Sequence, residues 1–432
     1  MSGLLDDLRW RRLIHQMTDP ESLPKLLDTD VLVAYIGFDP TADSLHIGHL
    51  LQICLLRRLQ LAGHRPIALV GGGTGMIGDP TGKSDERTLL TPEDLAHNTA
   101  GIQAQLERFI DFGASGAILE DNASWLGTVP LLEFLRDVGK QFTVNEMIRK
   151  DSVRSRLETR QQGISFTEFS YMLLQAWDFL QLFDRHGCRL QMGGSDQWGN
   201  ITEGVDLIRR RRETQAFGLT SPLVTKADGT KFGKTEAGAV WLDAARTSPY
   251  QFFQYFIRTA DAEVGAYLRY FTFLGRDAIE ELDRAVALRP EQREAQRTLA
   301  REVTGLVHGP EEAIRAERAA AVLFTEDIVL LDEPTLVAGL ADAPSEPLAA
   351  SELDGGLSLV DALIRTGLAS SRGDARRQLS SGGVYVNNRR QPEDRPIAAG
   401  DALHGRFVVL RRGRNQRVLA VGGQPSPASR PS

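Results

Sequence analysis

The 432-residue chain has only two cysteines, Cys54 and Cys188. Two are too few for a disulfide framework or a zinc site of the usual spacing, and both read as buried thiols in a reducing compartment. No apolar run reaches the roughly 18 residues of a membrane-spanning helix. Met1 to Arg12 lack the basic-then-apolar pattern of a secretory signal. A cytoplasmic protein with no membrane segment is therefore expected. Basic charge is not in excess either: 50 Lys plus Arg stand against 57 Asp plus Glu, a net of −7. This excludes a uniformly basic nucleic-acid binder and leaves room for a local basic module. What remains is ordinary for a globular chain, 42% hydrophobic and 25% charged, and long enough for two or three domains.

Val31 to Ile36 and Pro66 to Val70 read as buried strands, ended by Gly37 and by Gly71-Gly72-Gly73. Apolar residues recur at helical spacing from Leu50 to Leu61, and a further helix is expected over Pro92 to Asp111. Strand, loop and helix in alternation point to an α/β domain with a parallel sheet, whose ligands sit at loops beyond the carboxyl ends of the strands. Residues 249–325, rich in Ala, Glu, Arg and Leu, read as a helical domain. Residues 326–356 hold eight acidic side chains, three prolines and no Lys or Arg, and read as an acidic flexible linker. Then the charge changes sign. Residues 357–423 carry twelve arginines, no lysine and five acids. With Arg430 in the Pro/Ser-rich tail 424–432, expected to be disordered, everything after residue 356 is at +8 and the first 356 residues are at −15. An acidic body with a basic appendage suits an enzyme with an RNA-binding module, the plain alternative being a well-solvated surface.

Five stretches could carry chemistry. In Tyr35-Ile-Gly37-Phe-Asp39-Pro-Thr41-Ala-Asp-Ser-Leu-His46-Ile-Gly48-His49, two histidines stand three apart where a loop becomes a helix. Free backbone N–H groups and the helix dipole favour anions there, although satisfied surface histidines would look the same. Gly71 to Ser84 tempts one to read a P-loop, but its first glycine would have to be residue 77, which is Ile77. What is left is a strand end with Asp79 and the cations Lys83 and Arg87. Tyr171, Gln175 and Asp178, at i, i+4 and i+7, share one helix face and suit an ammonium group and a hydroxyl, or simply face solvent. Gly193-Gly-Ser-Asp196-Gln197 suits close contact with a ribose or an amino-acid backbone, or is a plain turn. Lys231-Phe-Gly-Lys234-Thr235 could close over a polyphosphate or lie solvated on the surface.

In this order the five resemble the class I aminoacyl-tRNA synthetases, with His46-Ile-Gly-His49 as the H-I-G-H signature and Lys231-Phe-Gly-Lys-Thr235 as a variant of K-M-S-K-S. Tyr35 to Ala42, the stripe Tyr171/Gln175/Asp178 and Gly193 to Asn200 are similar to the bacterial-type tyrosyl branch. Gly367 to Arg377 and Gly382 to Asn387 resemble the S-four-type RNA-binding domain of ribosomal proteins. Trp177 stands where that branch commonly has tyrosine, and Gln52 where a smaller residue is common. A tryptophanyl enzyme would share the fold and the class but has no use for both Tyr35 and Asp178. An RNA-binding protein that kept the body without the activity would predict damage to His46, Lys231 or Lys234, and all three are intact.

The resemblance implies a Rossmann-like catalytic domain over 1–221, a mobile signature-loop linker over 222–248, the helical domain, the linker and an S-four-like α+β domain over 357–423. It implies formation of tyrosyl-adenylate from L-tyrosine and ATP, then transfer to the terminal ribose of tRNA(Tyr), in a homodimer. Magnesium would travel with ATP, with no tightly bound metal. Thr41, His46, His49, Lys83, Arg87, Lys231 and Lys234 would be catalytic. Tyr35, Asp79, Tyr171, Gln175, Asp178 and Gln197 would hold tyrosine. Gly37, Asp39, Gly48, Gly193, Asp196 and Thr235, with His46, His49 and the two lysines, would line the ATP site. Arg372, Arg376, Arg377, Arg389 and Arg390 would face RNA.

Overall fold

Four strands, Val33–Phe38, Arg65–Val70, Leu190–Gly194 and Phe217–Ser221, are buried along almost their whole length, a pattern that requires cover on both faces of a sheet. The computed structural model describes residues 3–81, 89–113, 116–150, 153–154, 157, 164–225, 232–235, 238–340, 343–413 and 415–421. The chain divides into two units, Met1–Asp243 with Ala260–Ala295, and Ala244–Thr259 with Gln296–Ser432. The first contains β1 (Gln16–Met17), β2 (Val33–Phe38), β3 (Arg65–Val70), β4 (Ile118–Asp121), β5 (Leu190–Gly194) and β6 (Phe217–Ser221). They form one sheet in the order β1-β6-β5-β2-β3-β4, with β1 antiparallel and the other pairings parallel. β2 lies between β3 and β5, so the chain leaves it to opposite sides in sequence order. The crevice beyond the carboxyl ends of β2 and β5 is where such a sheet takes a ligand.

Three helices position that crevice. Ile47–Leu61 starts directly after the loop that follows β2, three residues earlier than the apolar spacing indicates, and His46 is its cap. Pro92–Phe109 begins with Thr91 accepting from the Asp94 N–H, and proline in its first turn suits a position with no partner for its missing donor. Phe166–His186 is capped by Ser165 and stopped by Gly187 at φ 66°. Its inner face packs Met172, Leu173, Ala176, Phe179 and Leu180 into one core with Tyr35, Ile67 and Leu69 of the sheet.

The C-terminal unit departs from the linker expected over 326–356. That segment forms a 3₁₀ turn at Glu326–Leu330, a helix at Glu333–Leu340 and a strand at Ser345–Leu348, and residues 341–342 lie outside those described. The strand adds parallel to Asn415–Val421 in a five-stranded sheet. The cause is visible along Phe407–Arg412. Val408 and Leu410 point into a core with the helices Leu359–Arg365 and Arg372–Ser380. Phe407 and Val409 point the other way, into a core made by Ala319, Leu323, Ile328, Leu331, Leu336 and Leu340. A sheet apolar on both faces needs a second cover, and the acidic segment supplies it. The expected helical domain over 249–325 is divided between the two units as well. The tail 424–432 lies outside the described residues.

One turn ties this unit together. Asn387 and Asn388 sit at φ 45° and 60° in a two-residue hairpin loop between Val386 and Arg389. The buried Asn388 amide donates to the carbonyls of Leu323 and Thr325, both at 2.8 Å, and its Oδ1 accepts from Arg411 Nε at 2.9 Å. Asn388→Ala should lower the stability by roughly 2–4 kcal/mol, through unpaired buried carbonyls and left-handed backbone strain. Asn388→Gly should recover the backbone part, about 1 kcal/mol. Urea denaturation of both variants against the parent chain measures this, and equal stability of Ala and Gly would remove the backbone contribution.

Candidate active site

Asp178 lies at the innermost end of the crevice, on the helix Phe166–His186, and is buried. Its two oxygens accept from Trp125 Nε1 at 2.7 Å and Asn122 Nδ2 at 2.9 Å. Asn122 follows β4 directly, and also donates to Thr74 Oγ1 at 2.9 Å while accepting from the Gly73 N–H at 2.7 Å. Thr74 donates to Asp39 Oδ1 at 2.8 Å, and Tyr171 donates to Asp39 Oδ2 at 2.7 Å. A continuous hydrogen-bonded chain thus joins the ends of β2, β3 and β4 to the helix that carries Tyr171 and Asp178. Tyr35, buried on β2 against Phe179, has a hydroxyl with no hydrogen-bond partner. Burial, and then the nearby Asp178 charge, push its phenol well above its ordinary value.

A second group gathers beyond β5. Gln197 donates to Asp79 Oδ2 at 2.7 Å and accepts from Gln175 at 3.3 Å and Asn200 at 3.2 Å. Asn200 also donates to Gln175 Oε1 at 3.0 Å. The structure therefore brings Asp79, Gln175 and Gln197 together. Tyr171, on the same helix, donates its hydroxyl to Asp39, which the resemblance sets on the nucleotide side. Gly37, Thr41 and Asp196 are exposed, and Gly193 lies buried against Gln197. A Cβ on Gly37 would meet nothing within 4 Å, so the space above β2 is open. Asn122, Trp125, Thr74 and Asn200 were missed. The signal for Asn122 was its place at a strand end, where a parallel sheet collects its polar groups.

His46 caps the helix Ile47–Leu61 by accepting the Gly48 N–H on Nδ1 at 3.1 Å, and His49 Nδ1 accepts the His46 N–H at 3.3 Å. Both rings therefore carry their proton on Nε2. They stack at 4.0 Å, and a Cβ on Gly48 would lie 2.7 Å from the His46 ring, so only glycine admits this arrangement. Burial first, and then His46, lower His49 to about 3. His49 is a neutral hydrogen-bond donor at pH 7, not a cation. Gln52, further along this helix, donates to Ser221 Oγ at 2.9 Å, and its Oε1 is buried without a partner.

The second signature reaches the same helix. Gly233, at φ 84°, would place a Cβ 2.9 Å from Ile47 Cγ1, and the Ile47 N–H donates to the Val240 carbonyl at 3.0 Å. Phe232 stacks on Phe271 at 5.1 Å and meets Tyr267 edge-on at 5.0 Å. The backbones of Lys234–Thr235 and Gly238–Ala239 form a small hairpin. Lys83, Arg87 and Lys231 lie outside the described residues. In the C-terminal unit, Arg372, Arg376, Arg377, Arg389 and Arg390 are all exposed. Arg372 pairs with Asp361 at 2.7 Å, and Arg390 holds the carbonyls of Gly382 and Ser381 at 3.0 and 3.3 Å. Arg411, not singled out in the sequence, lies 3.9 Å over the ring of Tyr385.

Burial pushes Asp178 up to about 8, against the bonds from Trp125 and Asn122 and with smaller help from Asp39 and Asp121. A carboxyl raised above its unfolded value near 4 contributes stability that is complete below that value and is lost as pH rises through about 8. Asp178→Asn removes this titration. The stability of the parent chain relative to Asp178→Asn should therefore fall between about pH 4 and pH 8 and level off above. Urea denaturation across that range checks it, and a pH-independent difference would mean that Asp178 is ionised throughout.

Comparison with known proteins follows the same outline. Residues 27–325 match the family model described as tRNA synthetases class I (W and Y), and residues 337–420 match that of the tyrosine–tRNA ligase SYY-like C-terminal domain. The tyrosine–tRNA ligase of Roseiflexus castenholzii is 54% identical over 423 residues, 97% of this chain and 99% of its own. That of Geobacillus stearothermophilus is 52% identical over 420 residues, 96% and 99% of the two chains. A C-terminally truncated mitochondrial tyrosyl-tRNA synthetase of Aspergillus nidulans superposes with a TM-score of 0.68 at 33% identity, over 75% of this chain and 95% of that one. A tryptophanyl-tRNA synthetase of Encephalitozoon cuniculi, at 14% identity and TM-score 0.54 over 77% and 90%, shares the fold alone. With residues 27–325 and 337–420 matched and relatives above 50% identity along nearly its whole length, the protein belongs to the class I aminoacyl-tRNA synthetases, in the tyrosine–tRNA ligase family.

Proposed function

We propose that the crevice activates L-tyrosine with ATP and that the chain passes the tyrosyl group to the terminal ribose of tRNA(Tyr). The observation that carries the choice of amino acid is the unpaired, buried hydroxyl of Tyr35 beside Asp178. A substrate phenol between them gives the Tyr35 hydroxyl its partner and offers Asp178 a further donor, whereas phenylalanine leaves Tyr35 unpaired. At the other end Asp79, Tyr171 and Gln175 hold the ammonium, with Gln197 near the carboxylate.

In the first step the tyrosine carboxylate, ionised at pH 7 without help from a base, attacks the α-phosphorus of ATP. A carboxylate–phosphorus bond forms, the bridging α–β bond breaks, and pyrophosphate leaves. Catalysis rests on in-line positioning and on donors and cations where phosphate charge develops. His46 and Thr41 donate from the helix start, His49, Gly48 and Asp196 hold the adenosine, and Lys83, Arg87, Lys231 and Lys234 supply positive charge. ATP enters as its magnesium complex. In the second step a ribose hydroxyl of the tRNA attacks the tyrosyl carbonyl and AMP departs. The exposed arginines of the C-terminal unit bind the RNA.

The working form is a cytoplasmic homodimer. Among the described residues no helix is long and apolar enough to cross a membrane. Yet Leu131, Leu132, Leu135, Val144, Ile148 and Phe166 are large apolar side chains left exposed within one stretch of the chain, Leu132 at 80% and Phe166 at 77%. A second copy is the partner that suits them. Leu132→Glu combined with Phe166→Glu should give a monomer by light scattering on a sizing column. A dimer unchanged in the double variant would move the interface elsewhere.

Tyr35→Phe tests the choice of amino acid with almost no change of shape. It should lower kcat/KM for tyrosine more than for phenylalanine, by about 0.5–1.5 kcal/mol, the size of one hydrogen bond. An unchanged tyrosine-to-phenylalanine ratio would remove Tyr35 from the end of the pocket.

A further inference from the structure

We propose that Gln105, with Asn98 and Gly101, is a positioning set for the loop that carries Thr41 and His46. This rests on the reading of His46 as a phosphate-contacting group. The three residues lie at i, i+3 and i+7 on the helix Pro92–Phe109, so they share one face. That face meets the loop between Asp39 and His46 along its length. Asn98, buried, donates to the Pro40 carbonyl at 3.1 Å. A Cβ on Gly101 would lie 2.2 Å from the Asp43 carbonyl oxygen, so the helix approaches the loop as closely as a backbone permits. Gln105, buried, accepts from the Leu45 N–H at 2.8 Å and donates to Ser44 Oγ at 2.9 Å. Ser44 donates in turn to the Leu45 carbonyl at 2.8 Å, closing a small ring of bonds one residue before His46.

The Leu45 carbonyl also accepts from the Leu242 N–H at 2.8 Å. Leu242 follows the hairpin of the second signature, so this one peptide links both signature segments to Gln105. Buried backbone groups of a loop have to be paired, and a side-chain amide offers a donor and an acceptor in a fixed geometry. The outcome is a His46 whose place is set by the helix Pro92–Phe109 and not only by its own cap. The tyrosine pocket does not use Gln105: Asp178, Asn122 and Thr74 are held by one another and by Asp39, five residues before Ser44. A disturbance at Gln105 therefore reaches the phosphates and spares tyrosine.

The experiment is single-turnover formation of the adenylate, with equilibrium binding of tyrosine and thermal unfolding measured on the same samples. Gln105→Met keeps the length of the side chain and removes both bonds. It should slow adenylate formation about tenfold or more, while the dissociation constant for tyrosine stays within about twofold. Ser44→Ala removes a single oxygen and should slow it about two- to tenfold, and it carries the test if Gln105→Met does not fold. Adding Gln105→Met to His46→Ala should cost much less than it costs alone, because the two act through one loop. A folded Gln105→Met at the parental rate, equal losses in rate and tyrosine affinity, or full additivity with His46→Ala would each overturn the positioning role. If His46→Ala itself keeps the parental rate, the phosphate role of His46 falls and this proposal with it. If His46→Ala is slow and both Gln105→Met and Ser44→Ala are not, the positioning role falls alone.

Discussion

A carboxylate taken out of water has to be satisfied, and in this chain Asp178 sets the terms on which the crevice is built. Two N–H donors face it, and hydrogen bonds to a charged group contribute about 1.5–3 kcal/mol each. Burial still wins, since the group sits near 8 without a ligand. The donors that partly offset it are not independent parts. Asn122 can serve Asp178 only because Gly73 and Thr74 fix its other end, and Thr74 is fixed by Asp39, which Tyr171 holds in turn. Four elements are locked together through one acid. The unpaired Tyr35 hydroxyl is what the chain leaves over.

The phosphate side works by different physics. With His49 held neutral, that ring brings no full positive charge to the helix start at pH 7. The helix N-terminus contributes roughly half a charge through its N–H groups. In the proposed reaction the rest falls to Lys83, Arg87, Lys231 and Lys234, whose side chains lie outside the described residues. On that proposal, donors fixed by backbone hydrogen bonds aim the reaction and cationic side chains neutralise it. That division explains why the fixed part is tied down so closely, by Gly48 under His46 and by Gly233 against Ile47.

How much of this was legible in the sequence depended on whether a period carried it. Tyr171, Gln175 and Asp178 could be set on one face because helical spacing is a strong code, and β2, β3 and the helices after them could be read from apolar runs. Asn122 and Thr74 lie in loops, where a lone polar residue has no period to betray it. Their roles come from contacts between residues 48 and 56 positions apart. Tyr171 could be set on that face, but its bond to Asp39 could not be read, since a face does not say which acid across the crevice takes the hydroxyl. The stretch 326–356 misled for another reason. Its acids and prolines suggested a solvated linker, yet Ile328, Leu331, Leu336, Leu340 and Leu348 alternate with them. The need for those residues was written elsewhere, in four consecutive apolar residues from Phe407 to Leu410 that leave no face of their sheet for water.

Charge and fold then meet in the C-terminal unit. The +8 after residue 356 contrasts with −15 before it, so a polyanion is drawn to one part of the chain and repelled by the rest. Within a Debye length of about 8 Å at physiological salt, what counts is which guanidinium groups face water, not the net figure. Several are committed to the fold. Arg390 braces the turn at Ser381–Gly382, Arg411 lies on Tyr385 and bonds Asn388, and Arg395 is paired with Asp401 at 2.7 Å. The arginines of the helix Arg372–Ser380 and Arg389 stay at the surface. An RNA contact built this way is narrower than the charge count suggests. It is held in shape by the same Asn388 turn that joins its hairpin to Leu323, so the arginines that fold the unit also fix where the others point.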